Sequence, residues 1–241
     1  MESRYLRKAI ILVLSMVVSM LPDTLLAVDF GGPVLQIGAF TTSQKQSEHV
    51  DIDGLIGDDF NANSSDENVL LGIGYYVYGF DVPQAQILYG VNAFYFSPTK
   101  VKGKVTQEDL FTNLSYRYST TYYPIFFAAK ALFPVTASDD ITLNVGIGPN
   151  IVKTKNFRES SLDGVTLPDQ DIFTGKSVVV FSAMVGIGWR INDFFGDHAI
   201  EIDYRFFYLG RGELQKTNSQ LRNNLHTGIG YANALFISVP L

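Results

Sequence analysis

The sequence predicts an all-β fold, an eight-stranded antiparallel up-and-down transmembrane β-barrel, on three observations. Period-2 alternation runs through almost the whole chain with little sign of helical periodicity. The spacers between alternating segments are long and short in strict turn. The second face of each segment is built of Gly, Ser, Asn and Tyr with few charges, unlike the Lys- and Glu-rich face of a solvated strand.

The N-terminus is read first. Arg4, Arg7 and Lys8 precede the uncharged run Ala9 to Leu21, and Leu25-Leu26-Ala27 precedes a cut before Val28. A basic start, a short apolar core and a small residue at the cut make a secretory signal peptide, residues 1–27. About 13 apolar residues are too few for the roughly 20 of a spanning helix; an N-terminal anchor is the alternative. The expected mature domain is 28–241, with 15 Lys+Arg against 22 Asp+Glu, a net charge of about −7. That balance argues against nucleic acid, whose phosphates demand a basic face. The chain has no Cys, 13 Tyr, 18 Phe and one Trp, so disulfides are excluded. With no later run of 18 apolar residues, any membrane crossing must use a closed barrel, because lipid leaves open backbone unsatisfied.

Strand one is expected at Pro33–Ser43, followed by a polar spacer from Gln44 to Asp66. Strand two, Glu67–Phe80, turns at Asp81–Gln84 into strand three, Ile87–Ser97. A spacer over Pro98–Leu110 precedes strand four, Tyr116–Pro134, whose alternation changes phase near Pro124 and calls for a bulge there. The turn Ala137–Asp140 leads to strand five, Ile141–Thr154, and a long spacer ends near Lys176. Strand six, Ser177–Ile191, turns at Asn192-Asp193 into strand seven, His198–Gly210. The spacer Arg211–Asn224 precedes strand eight, Leu225–Leu241. An even strand count with short turns at one end and long connections at the other is the pattern of bacterial transmembrane barrels.

The faces follow from the alternation. Outward are Leu71, Ile73, Tyr75 and Val77; Ile141, Leu143, Val145 and Ile147; Ile200, Ile202, Tyr204 and Phe206. The opposite face carries glycines beside inward rings at Phe94, Phe126, Phe207 and Phe236. A soluble lipocalin-like barrel is the alternative, and the sparse charges of the second face weigh against it. Trp189, Phe133, Tyr78 and Phe80 are expected in one aromatic belt, with Tyr95, Tyr122 and Tyr208 in the other.

The run Glu201-Ile202-Asp203-Tyr204-Arg205-Phe206-Phe207-Tyr208 and the Gly-Ile-Gly repeats at Gly72–Gly74, Gly146–Gly148, Gly186–Gly188 and Gly228–Gly230 resemble the small eight-stranded outer-membrane β-barrels of the OmpA-like and OmpX-like kind. The resemblance covers nearly the whole mature chain. It implies a Gram-negative outer membrane, periplasmic N- and C-termini, extracellular long loops, and contact with outer-membrane lipid, lipopolysaccharide and the barrel-assembly machinery. A monomer without cofactor is expected. The chain departs from the family by ending in Val239-Pro240-Leu241 rather than an aromatic residue, and no peptidoglycan-binding domain is expected after the barrel.

Chemistry-bearing residues are few. His49, His198 and His226 lie apart from any nucleophile pattern, and the His-x-Ser-Asn motif of outer-membrane lipid A deacylases, which resemble this scaffold, is absent. The first spacer is acidic, with Glu48, Asp51, Asp53, Asp58, Asp59, Asp66 and Glu67 against Lys45. Asp59-Phe60-Asn61-Ala62-Asn63 lacks the glycine and glutamate of a calcium loop, so a solvated loop is expected and no metal site. Lys130, Arg190, Glu201, Asp203 and Arg205 are expected to form a charge network inside the barrel, either a rigidifying plug or the selectivity element of a channel. Stretches such as Asn61–Ser65, Glu159–Gly164 and Lys216–Gln220 are expected in loops that carry recognition. The expected function is therefore non-enzymatic, structural or surface-exposed and loop-mediated. A narrow porin-like channel is the alternative, followed by a lipid-modifying enzyme.

Overall fold

In a computed structural model of the chain, residues 32–169, 171–196 and 198–241 are described. The expected signal peptide lies outside them. Eight long strands close into a ring: β1 (Pro33–Val50), β2 (Asp58–Val82), β3 (Ala85–Gln107), β4 (Phe111–Pro134), β5 (Asp139–Ser161), β7 (Ser177–Phe195), β8 (His198–Lys216) and β9 (Leu225–Pro240). A short β6 (Phe173–Gly175) continues the line of β7 and pairs with β8. Every pairing is antiparallel, each long strand pairs with the next long strand in the chain, and β1 closes the ring by pairing with β9. The barrel therefore leaves no long open edge to hydrogen-bond with solvent or lipid.

The short turns fall between β2 and β3 and between β4 and β5, as the sequence predicts; the third follows β7, which runs on to Phe195 through a register shift and so includes Asn192-Asp193, the expected turn. The long spacers do not stay loops. β1 and β2 remain paired from Pro33↔Tyr75 up to Val50↔Asp58, so most of Gln44–Asp66, including Asn61–Ser65, is strand. The same holds for Pro98–Gln107 and for β5 up to Ser161. The connections at this end shrink to residues 51–57, 108–110, 162–172 and 217–224. Backbone pairing needs no apolar alternation, which is why these polar segments read as loops in sequence yet form a barrel wall.

Two environments divide the wall. Its lower half is wrapped in exposed apolar side chains, among them Leu71, Ile73, Phe127, Val145, Ile147, Val179, Ile187 and Leu235. Along β5 this band runs from Ile141 to Ile151, about 25 Å high for a strand tilted by roughly 40°, matching the apolar band of a transmembrane barrel. Above it the pattern inverts. Val50, Phe60, Val101, Val105, Leu114, Tyr116, Tyr118, Phe157, Phe173, Leu214 and Leu225 face inward and form a second core, while Lys45, Ser47, Asn61, Lys102 and Arg117 face out.

This inversion corrects the reading of β4. Its even-numbered residues face the lumen without interruption from Leu114 to Leu132, and Pro124 pairs with Asn150 in unbroken register. No phase change occurs at Pro124. The sequence imitates one because the lumen takes the rings above it, whereas below it lipid-facing Ile125 and Phe127 carry the apolar character. The nearest register shift lies on β3 between Phe96 and Thr99. Tyr122 accordingly points into the lumen, 1% exposed, and does not belong to an outer belt.

Candidate functional site

The lumen of the membrane-embedded half is filled in layers, beginning with charge near the short-turn end. Glu201, fully buried on β8, accepts hydrogen bonds from Lys130 Nζ of β4 at 2.6 Å and Thr142 Oγ1 of β5 at 2.7 Å. Two residues along β8, Asp203 is paired with Arg205 and accepts from Ser238 Oγ at 3.0 Å. Arg205 Nη1 donates to Gln36 Oε1 at 2.6 Å; Gln36 passes the chain to Asn92 at 2.9 Å, and Asn92 to Tyr76 Oη at 2.8 Å. Lys130 also sits 5.0 Å from the Tyr76 ring centroid. A buried charge is tolerable only when paired and hydrogen-bonded, and these four charges have such partners.

The predicted set is thus brought together for Lys130, Glu201, Asp203 and Arg205. Arg190 faces Glu201 in the β7–β8 register but is not bonded to it: it is half-buried and its Nε donates to Asn192 Oδ1 at 2.9 Å. The sequence reading places Tyr76, Asn92 and Thr142 on the inward face but does not name them, or Gln36 and Ser238, as partners of the charges. Two glycines make room for the network. A Cβ at Gly186 would lie 2.5 Å from Arg205 Cγ, and one at Gly74 would lie 2.2 Å from Asn92 Oδ1.

Above the charges lies a ring cluster. Phe94 contacts Phe96, Phe126, Phe207 and Phe236 at centroid separations of 5.6–6.4 Å. Arg205 closes the underside, its Cζ 4.7 Å from the Phe236 centroid, a cation–π contact. All four inward rings predicted from sequence meet here. Higher still, Gln46 accepts from Tyr116 and Tyr118, and the second core of Phe60, Tyr116, Phe157 and Phe173 packs ring against ring. Charge, rings, polar side chains and rings again follow one another along the lumen.

The far rim is different. A cavity of about 210 Å³ opens there between the loop ends. Val50, Phe60, Leu114, Phe173 and Leu221 form its apolar lining, and Asp58, Glu159 and Asp169 bring carboxylates to it. Burial pushes the Glu159 carboxyl up to about 7, against the lowering effect of the Asp169 N–H that it accepts. Burial likewise raises Asp58.

The acidic residues of the first spacer are dispersed among separate partners. Glu48 meets Arg211 and His226, Asp53 meets Arg222, and Asp59 meets His49. Among the described residues no group of three or more His, Cys, Asp and Glu could hold a metal ion. His49 and His226 each contact a carboxylate, at 2.7 and 2.8 Å. His198 opens β8 at the opposite end of the barrel.

No family model matches the chain, and no curated protein does. Solved structures of similar fold do exist. The Neisserial surface protein A is 11% identical, with 88% of this chain and 99% of that one covered and a TM-score of 0.41. The outer membrane protein OprG of Pseudomonas aeruginosa is 12% identical, covering 88% and 94%, at 0.46. The outer membrane protease OmpT of Escherichia coli is 12% identical, covering 89% and 97%, at 0.40. Each of these likenesses is one of fold alone.

Proposed function

We propose that this barrel resides in a Gram-negative outer membrane with both termini in the periplasm and acts, without catalysing a reaction, as a recognition or adhesion scaffold at the cell surface. Residues 1–27 serve as its export signal. The observation that carries the reading is the projection of the wall. Strands continue about ten residues past the apolar belt, roughly 25 Å above it at the same tilt, and enclose their own core. A wall built only to cross a bilayer has no use for that extension. A rigid extension instead holds four short loops and the rim cavity clear of the lipid, where surface ligands are met. The short turns belong on the periplasmic side, as in other bacterial barrels.

The stacked lumen supports a plug over a channel. Eight strands give an interior that side chains can fill, and here charge pairs and two ring clusters fill it. Purified protein in planar bilayers is expected to show no stepwise conductance, and Arg190→Ala and Arg205→Ala the same. Discrete single-channel steps in the wild type would refute the plug. Unchanged lipid A mass in cells with and without the protein is expected if no lipid is modified.

A further inference from the structure

The outer half carries its charges unevenly. On the β8–β9–β1 side and the adjoining loops three cations are matched with acids, Lys176 with Glu213, Arg211 with Glu48 and Arg222 with Asp53, while Lys216 donates to backbone oxygens and, among the described residues, Lys45 stands singly. On the β3–β4–β5 side the cations are not matched. Lys100, Lys102 and Lys104 of β3, Arg117 of β4, and Lys153, Lys155 and Arg158 of β5 all lie on the outer surface. Among the described residues none of these seven has a carboxylate within 4.0 Å. On the neighbouring β2, Asp66 spends a carboxylate oxygen on the Lys100 backbone N–H, and Glu67 follows it along the strand.

Register makes the crowding specific. Lys102 stands opposite Arg117, and Arg117 opposite Arg158, so three cations form one row across three strands. The row below is Lys100, Ser119 and Lys155. Like charges directly opposite each other on a sheet are destabilising, so the wall maintains an arrangement that disfavours its own folding unless anions neutralise it. With strands about 4.8 Å apart and a rise of about 3.3 Å per residue, the patch measures roughly 10 by 15 Å. Its lower edge joins the lipid belt: Lys153 is the next outward residue after Ile151, and its ammonium lies 5.0 Å from the Tyr123 ring centroid.

We propose that the outward cationic face of β3, β4 and β5, continuous with the apolar belt beneath it, binds the phosphate groups of a phosphorylated glycolipid in the surrounding outer leaflet. A ligand whose acyl chains lie on Ile125, Phe127 and Ile151 presents its phosphates at the height of Lys153 and Lys155, and phosphorylated sugars above them reach Lys102, Arg117 and Arg158. Arg adds planar two-pronged donation to phosphate, which Lys supplies as a point charge. The inference rests on the surface orientation proposed above.

Native mass spectrometry of the full-length mature protein in detergent, titrated with diphosphoryl lipid A and with the same lipid stripped of phosphate, tests it. The variants are Lys100→Gln/Lys153→Gln/Lys155→Gln, the lower cations that lipid A phosphates reach, and, on the opposite side, Lys45→Gln/Arg222→Gln, each checked for the unheated gel shift of a folded barrel. Wild type is expected to retain the phosphorylated lipid at least about tenfold better, a margin that three surface cations supply. The triple variant should fall to parity and the double variant should not. If the triple variant does not fold, loss of the wild-type preference in high salt stands in for it. Equal retention of both lipids, an unchanged preference in the triple variant, or capture of a soluble sulfated saccharide in place of the lipid overturns the proposal. A barrel that inserts correctly and ignores lipid phosphate sinks this inference alone, whereas one that fails to insert sinks the orientation beneath it.

Discussion

Replacing Lys130 with Met removes one ammonium while leaving an unbranched side chain of similar length, and it isolates the carboxylate of Glu201. That carboxylate is fully buried. Its close donors are Lys130 at 2.6 Å and the Thr142 hydroxyl at 2.7 Å, with Asn144 Nδ2 remote at 3.5 Å. Without Lys130 the charge keeps one good hydrogen bond. Removing one member of a buried pair costs about 3–5 kcal/mol, and the Arg205 charge nearby places the expected loss near the lower end, about 3 kcal/mol. Lys130→Met/Glu201→Leu, which removes both charges, should recover to within about 1 kcal/mol of wild type, since a packed apolar pair is often no worse than a buried salt bridge. Urea unfolding in lipid vesicles, followed by the fluorescence of the single tryptophan, Trp189, measures both. A loss below about 1 kcal/mol in the single variant, or a double variant no more stable than the single, would refute the view that this pair is energetically coupled inside a sealed lumen.

Three further perturbations probe other layers. Phe94→Ala removes the ring at the centre of four aromatic contacts and should cost about 3–5 kcal/mol in the same unfolding assay; a change under 1 kcal/mol would mean the ring cluster is not packed. A Cβ at Gly148 would lie 1.9 Å from the Ile125 backbone oxygen, so Gly148→Ala should destabilise by about 1–3 kcal/mol through overpacking, and a neutral result contradicts that close approach. Glu159, raised by burial to about 7 from an ordinary 4.5, contributes stability that is fully present below about 4.5 and is lost as pH rises through 7. Hydrogen exchange of the amides in residues 162–169 should therefore quicken between pH 5 and pH 8 beyond the intrinsic rate, by at most about 3 kcal/mol of protection. Glu159→Gln should abolish that dependence, and its persistence would reassign it to another group.

The membrane-embedded half was legible because two constraints act there at once. Lipid demands apolar side chains outside and a narrow lumen demands small or ring-bearing ones inside, so Leu71-Gly72-Ile73-Gly74 or Ile202-Asp203-Tyr204-Arg205 read unambiguously as wall. The outer half escaped because water, not lipid, meets its outer face. Polar residues stand on both sides of Ser43–Ser47, where Gln44 and Gln46 turn inward to the backbone oxygens of Gly228 and His226. Nothing in such a stretch separates strand from loop without its pairing partner.

The interior charges show the same division. Four of the five residues chosen from sequence come together because they share inward parity on strands whose frame the lipid face fixes. Arg190 shares the parity and stands opposite Glu201 in register, but its guanidinium Nε donates to Asn192 instead. The cationic face was invisible for another reason. Its members lie on three strands, and only the register Lys102↔Arg117↔Arg158 sets them side by side.

The division into a lipid-clad lower half and a projecting outer half is open to one direct measurement, helped by the absence of native cysteine. Single cysteines at Val145 in the apolar belt, at Lys102 above it and at Asp193 beside the turn after β7 are each exposed to a membrane-impermeant maleimide on intact cells. The account predicts that Lys102→Cys labels, that Asp193→Cys labels only after the outer membrane is opened, and that Val145→Cys stays unlabelled in both cases until the barrel is unfolded. Rapid labelling of Val145→Cys in the folded protein, at a rate equal to that of Lys102→Cys, would contradict it.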